Sequence, residues 1–346
     1  MVSWGSSPYA GVATAEFDYR LPKEAIAQQP VEPRHASRLL DTRDLSDHLF
    51  IDLPALLRPG DLVVVNRTRV RRARLHGHKV GSGGEVEVLL LRRLGSRWQA
   101  LVKPARRLRL GVEIDFGEIR GRVVGAPEGG IALLELEAGG DIEAAIEATG
   151  EIPLPPYLHA APADPDRYQT IFADRLGSAA APTAGLHFSG EVIKALGATG
   201  IAIDSLDLEV GLDTFRSIEV DALDHHRIHA EWYRLDPGCA RSVAATRARG
   251  GRVVAIGTTV VRVLENCAAS KGNVESGEGW TDLFIRPGHE FRVVDAMVTN
   301  FHMPRSTPLV LVAALMGTGW QAAYQTALER RYRFLSFGDA MYCERG

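Results

Sequence analysis

Four short segments combine turn-forming residues with polar groups in a way that packing alone does not demand. Asn66-Arg67-Thr68-Arg69 follows the apolar run Leu62–Val65 and presents an amide, a hydroxyl and guanidinium groups. At the end of a buried strand, such groups can hold a ribose or a carboxylate; an ordinary polar loop explains them equally well. Ala181-Pro182-Thr183-Ala184-Gly185-Leu186-His187-Phe188 is a tight loop of small side chains that lets backbone approach a flat ligand. It carries one imidazole, His187, whose ordinary pKa suits acid–base work, although a lone histidine is more often structural. A third segment runs from Glu209-Val210-Gly211-Leu212-Asp213-Thr214-Phe215 to His225-His226-Arg227-Ile228-His229-Ala230-Glu231. Its histidines and Glu231 invite a zinc reading, but the spacing is not HExxH and no cysteine is near, so no metal is expected. The fourth is Thr299-Asn300-Phe301-His302-Met303-Pro304-Arg305-Ser306-Thr307, just ahead of an apolar helix. The amino end of that helix would attract a carboxylate or phosphate, and Gly257-Thr258-Thr259 precedes another helix in the same manner. Helix capping alone would also account for both.

The elements that must position these segments alternate. Ile201–Val210, Arg252–Ile256 and Met297–Phe301 read as strands, alongside Leu62–Val65. Asp141–Ala148, Glu191–Leu196, Thr258–Asn266, Leu309–Met316 and Trp320–Arg330 read as helices. Alternating strands and helices predict an α/β layer. A different texture interrupts it. Glu85–Leu89, Trp98–Val102, Val112–Phe116, Arg120–Val124 and Ile131–Leu136 are short strand patterns separated by glycine turns. They predict a small antiparallel barrel or sandwich at 71–150, inserted into an α/β domain made of 1–70 and 151–346.

The composition bounds the function. The chain has 346 residues, 45% hydrophobic and 24% charged, with a net charge of −3. That mix predicts a globular protein rather than a disordered one. Cations are concentrated, however: Arg67, Arg69, Arg71, Arg72, Arg74, Lys79, Arg92, Arg93, Arg97, Lys103, Arg106 and Arg107 face only Asp61, Glu85 and Glu87 between Arg58 and Arg109. This is either a solvated strand surface or an electrostatic footprint for a phosphate backbone. The cysteines Cys239, Cys267 and Cys343 form no CxxC pair, which fits a reducing compartment. Met1–Ala13 lacks the pattern of a signal peptide, and the longest apolar run, Pro308–Met316, is too short to span a bilayer. A cytoplasmic protein with no membrane partner is expected.

Taken in order, the segments resemble the S-adenosylmethionine:tRNA ribosyltransferase-isomerase family of queuosine biosynthesis. The resemblance rests on Phe17-Asp18-Tyr19, Glu32-Pro33-Arg34, Ser37-Arg38-Leu39-Leu40, Pro59-Gly60-Asp61-Leu62, Thr68-Arg69-Val70 and Val102-Lys103-Pro104. It continues through Gly150–Tyr157, Arg167–Thr170, Pro182–Phe188, Gly257-Thr258-Thr259, Thr281–Ile285, Thr299–His302 and Ser336–Met341. So many ordered blocks, from about Phe17 onward, do not arise by chance. The resemblance implies an α/β main domain with an inserted six-stranded antiparallel β-barrel. It implies transfer of the ribosyl group of S-adenosylmethionine onto 7-aminomethyl-7-deazaguanine at the tRNA wobble position. The product would be epoxyqueuosine, with adenine and methionine released. S-adenosylmethionine is then a substrate, no cofactor is required, and a monomer is expected.

Carried over residue by residue, the resemblance implies catalytic roles for His187 and Arg69, and a catalytic role is expected of Asp213 from its own carboxylate, since the family has glycine there. It implies substrate contacts from Asn66, Thr68, Thr183, Ala184, Gly185, Leu186, Phe188, Glu209, Gly211, Thr214, Phe215, His229 and Glu231. Gly257, Thr258, Thr259, Arg262, Asn300, His302, Arg305, Ser306 and Thr307 complete that set. Arg74, Lys103, Arg106 and Arg107 are expected to hold RNA. The chain departs from the family pattern at Arg67, Arg72, Asp213, Ser217 and Pro308. Arg67 and Asp213 add opposite charges near the expected site, and could pair with each other or reshape the acceptor pocket. A relative acting on a small nucleoside or amine, and a non-catalytic RNA-binding protein, are the competing expectations.

Overall fold

The computed structural model describes residues 11–159, 162, 164–211, 217–269 and 273–346. The chain divides into two compact units, one of Met1–Arg69, Pro156–Arg175 and Ala181–Gly346, the other of Val70–Pro155 and Leu176–Ala180. The smaller unit thus takes in residues on the far side of 150 that no hydrophobic pattern marks. Main-chain bonding is the reason. Glu151 and Arg74 exchange N–H···O bonds of 3.1 and 2.8 Å, and Arg71 N donates to Ser178 O at 2.9 Å.

The larger unit is built on a nine-stranded sheet. Its order is Gly277–Thr281, Glu231–Leu235, Ala202–Leu208, Leu62–Asn66, Val253–Ile256, Ala296–Asn300, Ala340–Glu344, Arg38–Asp41 and Ser46–Leu49. The four middle strands from Ala202–Leu208 to Ala296–Asn300 run parallel. Leu62–Asn66, Val253–Ile256 and Ala296–Asn300 are buried at every position, as strands covered on both faces must be. Phe50, Leu53, Phe188, Val192 and Leu196 pack against Val63, Val65, Val254, Ile256 and Val298 to form a core on one side. The helix Thr258–Asn266 follows its strand directly, and Thr307–Met316 and Gly319–Glu329 close the chain's helical part. Arg38–Asp41, Ser46–Leu49, Glu231–Leu235, Gly277–Thr281 and Ala340–Glu344 become strands despite weak local patterns. Gly277-Glu278-Gly279-Trp280-Thr281, for example, has little intrinsic strand preference and is ordered by pairing with Glu231–Leu235.

The smaller unit is a closed antiparallel barrel of six strands, in the order Ile131–Ala138, Arg97–Lys103, Glu85–Leu94, Arg74–Lys79, Glu113–Asp115 and Ile119–Glu128. Arg97–Lys103 buries Trp98, Ala100 and Val102 and turns the alternate residues outward, as the period of a half-buried strand requires. The helix Ile142–Thr149 is capped by Asp141, whose carboxylate accepts from Glu143 N and Ala144 N. Among the described residues, no helix is long and apolar enough to cross a membrane.

Candidate active site

The four parallel strands end together at Leu208, Asn66, Ile256 and Asn300, and the crevice outside such ends is where open α/β sheets bind ligands. Two cavities lie there. A narrow one of about 60 Å³ is walled by Tyr157, Ala181–Ala184, Val210, Gly257–Thr259, Thr299, Asn300, His302, Met303, Ser306, Leu335 and Ser336. A wider one of about 330 Å³ is walled by Gly211, Ser217, His226, His229, Glu231, Arg262, Phe284 and Thr307, among others. Thr258, Thr259 and Pro308 belong to both walls, so the two cavities are halves of one cleft. Gly257 makes their junction possible. It turns at φ 91°, and a Cβ there would stand 3.4 Å from Ala184 Cβ.

In the narrow half, Asn300 is 2% exposed, and its amide nitrogen donates to Leu335 O at 3.1 Å and approaches His187 Nε2 at 3.2 Å. Its carbonyl oxygen is buried with no partner among the described residues. His187 stands behind Asn300. It is 4% exposed, stacks on Phe50 at 4.9 Å, and meets Ser37 Oγ at 2.7 Å through Nδ1. Burial pushes its pKa down to about 4, against a partial lift from Asp339, so the imidazole is neutral at pH 7. His302 is on the wall itself, with Nε2 at 2.9 Å from Thr299 Oγ1, and burial lowers its pKa to about 3.

In the wide half, Glu231 and Arg262 form a buried ion pair at 8% and 7% exposure. Glu231 Oε1 also accepts from Gly211 N at 2.7 Å, while Arg262 donates to Leu283 O and Thr281 O. Both carboxylate oxygens of Glu231 are therefore engaged, which leaves it a poor metal ligand beside His229. Among the described residues, no group of three or more histidines, cysteines and carboxylates could hold a metal ion. The two helices entering the cleft differ at their amino ends. Ser306 caps Thr307–Met316 by accepting from Leu309 N at 3.4 Å, whereas Thr258–Asn266 has a glycine N-cap with no side-chain cap. Thr259 Oγ1 sits buried and unpartnered beside that open end.

The fold therefore sorts the residues singled out from sequence. Thr183, Ala184, Gly211, His229, Glu231, Gly257, Thr258, Thr259, Arg262, Asn300, His302, Ser306 and Thr307 line the cleft. Asp213, Thr214 and Phe215 lie outside the described residues. Asn66, Thr68, Arg69, Gly185, Leu186, His187, Phe188, Glu209 and Arg305 are off the cavity walls. Asn66 Nδ2 donates to Leu208 O, and its Oδ1 accepts from Thr68 N and Thr68 Oγ1, so this pair clips neighbouring strand ends together. Phe188 is core, edge-on to Phe50 and Phe172. Arg67 is held by Asp207 at 2.9 Å and Asp236 at 2.6 Å, two carboxylates for its one charge. Sequence reasoning gave no role to Tyr157, whose hydroxyl meets Ser336 Oγ at 2.7 Å on the cavity wall, or to Ser37 behind His187. Both fall inside blocks that carry the family resemblance, as does Ser336, and those blocks were the signal available.

The barrel's cations also sort. Arg74 pairs with Glu87 at 3.5 Å, and Arg71 and Arg93 share Glu143. Lys103, Arg106, Arg107 and Arg109 are exposed, and among the described residues no carboxylate pairs with them.

Comparison with known proteins identifies the family. The family described as "Queuosine biosynthesis protein" matches residues 14–343. The S-adenosylmethionine:tRNA ribosyltransferase-isomerase of Moorella thermoacetica is 51% identical over 94% of this chain and 98% of its own length. That of Symbiobacterium thermophilum is 50% identical with the same coverage. The crystal structure of S-adenosylmethionine tRNA ribosyltransferase from Thermotoga maritima matches with a TM-score of 0.54 and 37% identity, over 94% of this chain and 99% of that one.

Proposed function

The chain belongs to the queuosine biosynthesis protein family, and we propose that it is an S-adenosylmethionine:tRNA ribosyltransferase-isomerase working on tRNA in the cytoplasm. The acceptor is the aminomethyl group of 7-aminomethyl-7-deazaguanine at the wobble position, and the product is epoxyqueuosine. The observation that carries this reading is half or more identity, over nearly the whole chain, to relatives of that name. The cleft supports it, because its narrow and wide halves suit a flat base and a polar chain respectively.

The chemistry follows from the donor. A sulfonium acidifies the adjacent 5′ carbon, so loss of a proton there gives an ylide. Expulsion of adenine opens the ribose, the acceptor amine adds, and closure to the epoxide releases methionine as a neutral thioether. No external oxidant or reductant enters. The uncapped amino end of Thr258–Asn266, with Thr259 Oγ1 beside it, suits the methionine carboxylate. The buried walls exclude water from the reactive intermediates. Lys103, Arg106 and Arg107 supply unmatched positive charge for the tRNA backbone. A changed acceptor receives no support from Arg67, whose guanidinium is fixed by Asp207 and Asp236 rather than presented to the cleft.

The test is incubation of the protein with S-adenosylmethionine and tRNA carrying the deazaguanine, followed by nucleoside mass spectrometry. Epoxyqueuosine should form with equimolar adenine and methionine. An unchanged deazaguanine with no adenine released would overturn the assignment.

A further inference from the structure

A chain of hydrogen bonds behind the narrow cavity has a fixed direction. Leu335 O can only accept, so the Asn300 atom 3.1 Å from it is the amide nitrogen, and the amide cannot be turned over. The second hydrogen of that nitrogen points to His187 Nε2 at 3.2 Å, which must therefore be the unprotonated ring nitrogen. His187 Nδ1 then carries the proton and donates to Ser37 Oγ at 2.7 Å, and Ser37 Oγ donates onward to Arg34 O at 3.2 Å. A carbonyl oxygen closes the chain at each end, so only the neutral imidazole satisfies every member. The consequence is on the other side of the amide. Asn300, whose Oδ1 is buried and without a partner among the described residues, lines the narrow cavity together with Ala181, Pro182, Ala184 and Val210.

An unpartnered buried acceptor in a narrow, largely apolar slot calls for one N–H donor on a flat ligand. We propose that Asn300 Oδ1 accepts from the exocyclic amino group of the adenine of S-adenosylmethionine, and that His187 is the positioning residue that holds the amide for this contact. The proposal rests on the reading of the chain as an S-adenosylmethionine enzyme. It makes Asn300 a specificity residue for the base, and it gives His187 a task that needs no proton transfer.

The experiment compares binding of S-adenosylmethionine with its analogue lacking the 6-amino group, by calorimetry on the full-length protein, and then steady-state kinetics with saturating tRNA. The unmodified protein should bind the amino form at least about ten-fold more tightly, the size expected when a buried acceptor loses its donor. Asn300→Ala should reduce that ratio to near one. His187→Leu should lower the ratio and raise KM for S-adenosylmethionine more than it lowers kcat. His187→Gln, whose side-chain oxygen can accept from Asn300, should recover most of both. Equal binding of the two ligands by the unmodified protein would overturn the contact, and that arm needs no variant to fold. A roughly hundred-fold fall in kcat for His187→Gln, with KM and the ligand ratio unchanged, would make His187 a proton-transfer group and overturn the positioning role. Failure of the unmodified protein to bind S-adenosylmethionine at all would sink the enzyme assignment and this proposal with it.

Discussion

Arginine does two different jobs in the two units of this protein. In the α/β unit, Arg262 is buried against Glu231, Arg252 is clamped by Asp61 at 2.6 Å and Glu344 at 2.5 Å, and Arg67 is clamped by Asp207 and Asp236. Each of these three guanidiniums meets at least one carboxylate, because burying a charge without a partner is costly. In the barrel, Arg97 and Arg120 make exposed pairs, and Lys103, Arg106, Arg107 and Arg109 have no carboxylate partner among the described residues. Solvent stabilises those charges, so they stay available to a polyanion. A net charge of −3 conceals this division entirely. The charges that shape the fold and those left without a carboxylate partner are therefore separable by mutation.

The largest effect should come from stranding a buried charge. Glu231→Ala leaves Arg262 unpaired and should destabilise the α/β unit by about 3–5 kcal/mol in denaturant unfolding. Replacing the pair together, Glu231→Leu with Arg262→Met, should recover most of that loss. If Glu231→Ala alone cost no more than an exposed substitution, the contrast between the units would fail.

The reverse experiment belongs to the barrel. Arg106→Ser with Arg107→Ser should weaken tRNA binding by roughly ten-fold at low salt and reduce the slope of log affinity against log salt by about 1.5. Its unfolding free energy should stay within about 0.5 kcal/mol of the unmodified protein. An unchanged salt slope would remove these residues from the RNA interface.

Acid sharpens the comparison from another side. His187 titrates well below 6.5 in the folded chain, at about 4, and His302 at about 3. Between those values and 6.5 the unfolded chain binds protons that the folded chain does not. Their contribution to stability is therefore complete above about pH 6.5 and is lost as pH falls, by at most about 1.4 kcal/mol per pH unit for each group. His187→Leu should flatten the decline of the melting temperature between pH 6.5 and 4. A profile identical to that of the unmodified protein would mean that His187 is not held neutral. The smallest effect is expected for Arg97→Gln, whose exposed pair with Glu135 should be worth between 0 and about 1 kcal/mol in denaturant unfolding.

Much of this was legible in the sequence. The apolar run Leu62–Val65 and the alternation through Glu85–Leu89 and Ile131–Leu136 set strand types, because burial on two faces or one writes directly into residue order. Gly257-Thr258-Thr259 and Thr299–Thr307 marked the cleft, since a strand-to-helix turn needs small and capping residues wherever it occurs. The blocks from Phe17 to Met341 carried the family. Tertiary structure alone decided which polar groups remain available. Asn66 and Asn300 both stand at the ends of parallel strands, yet Asn66 satisfies itself against Thr68 and Leu208, while Asn300 lines the narrow cavity with its carbonyl oxygen buried and unpartnered among the described residues. Arg67 and Arg107 are likewise one side chain, distinguished only by the carboxylates that the fold brings to the first and not to the second. Residue type sets what a group can donate, accept or charge. Whether that capacity is already used depends on partners distant in the chain, and only folding assembles them.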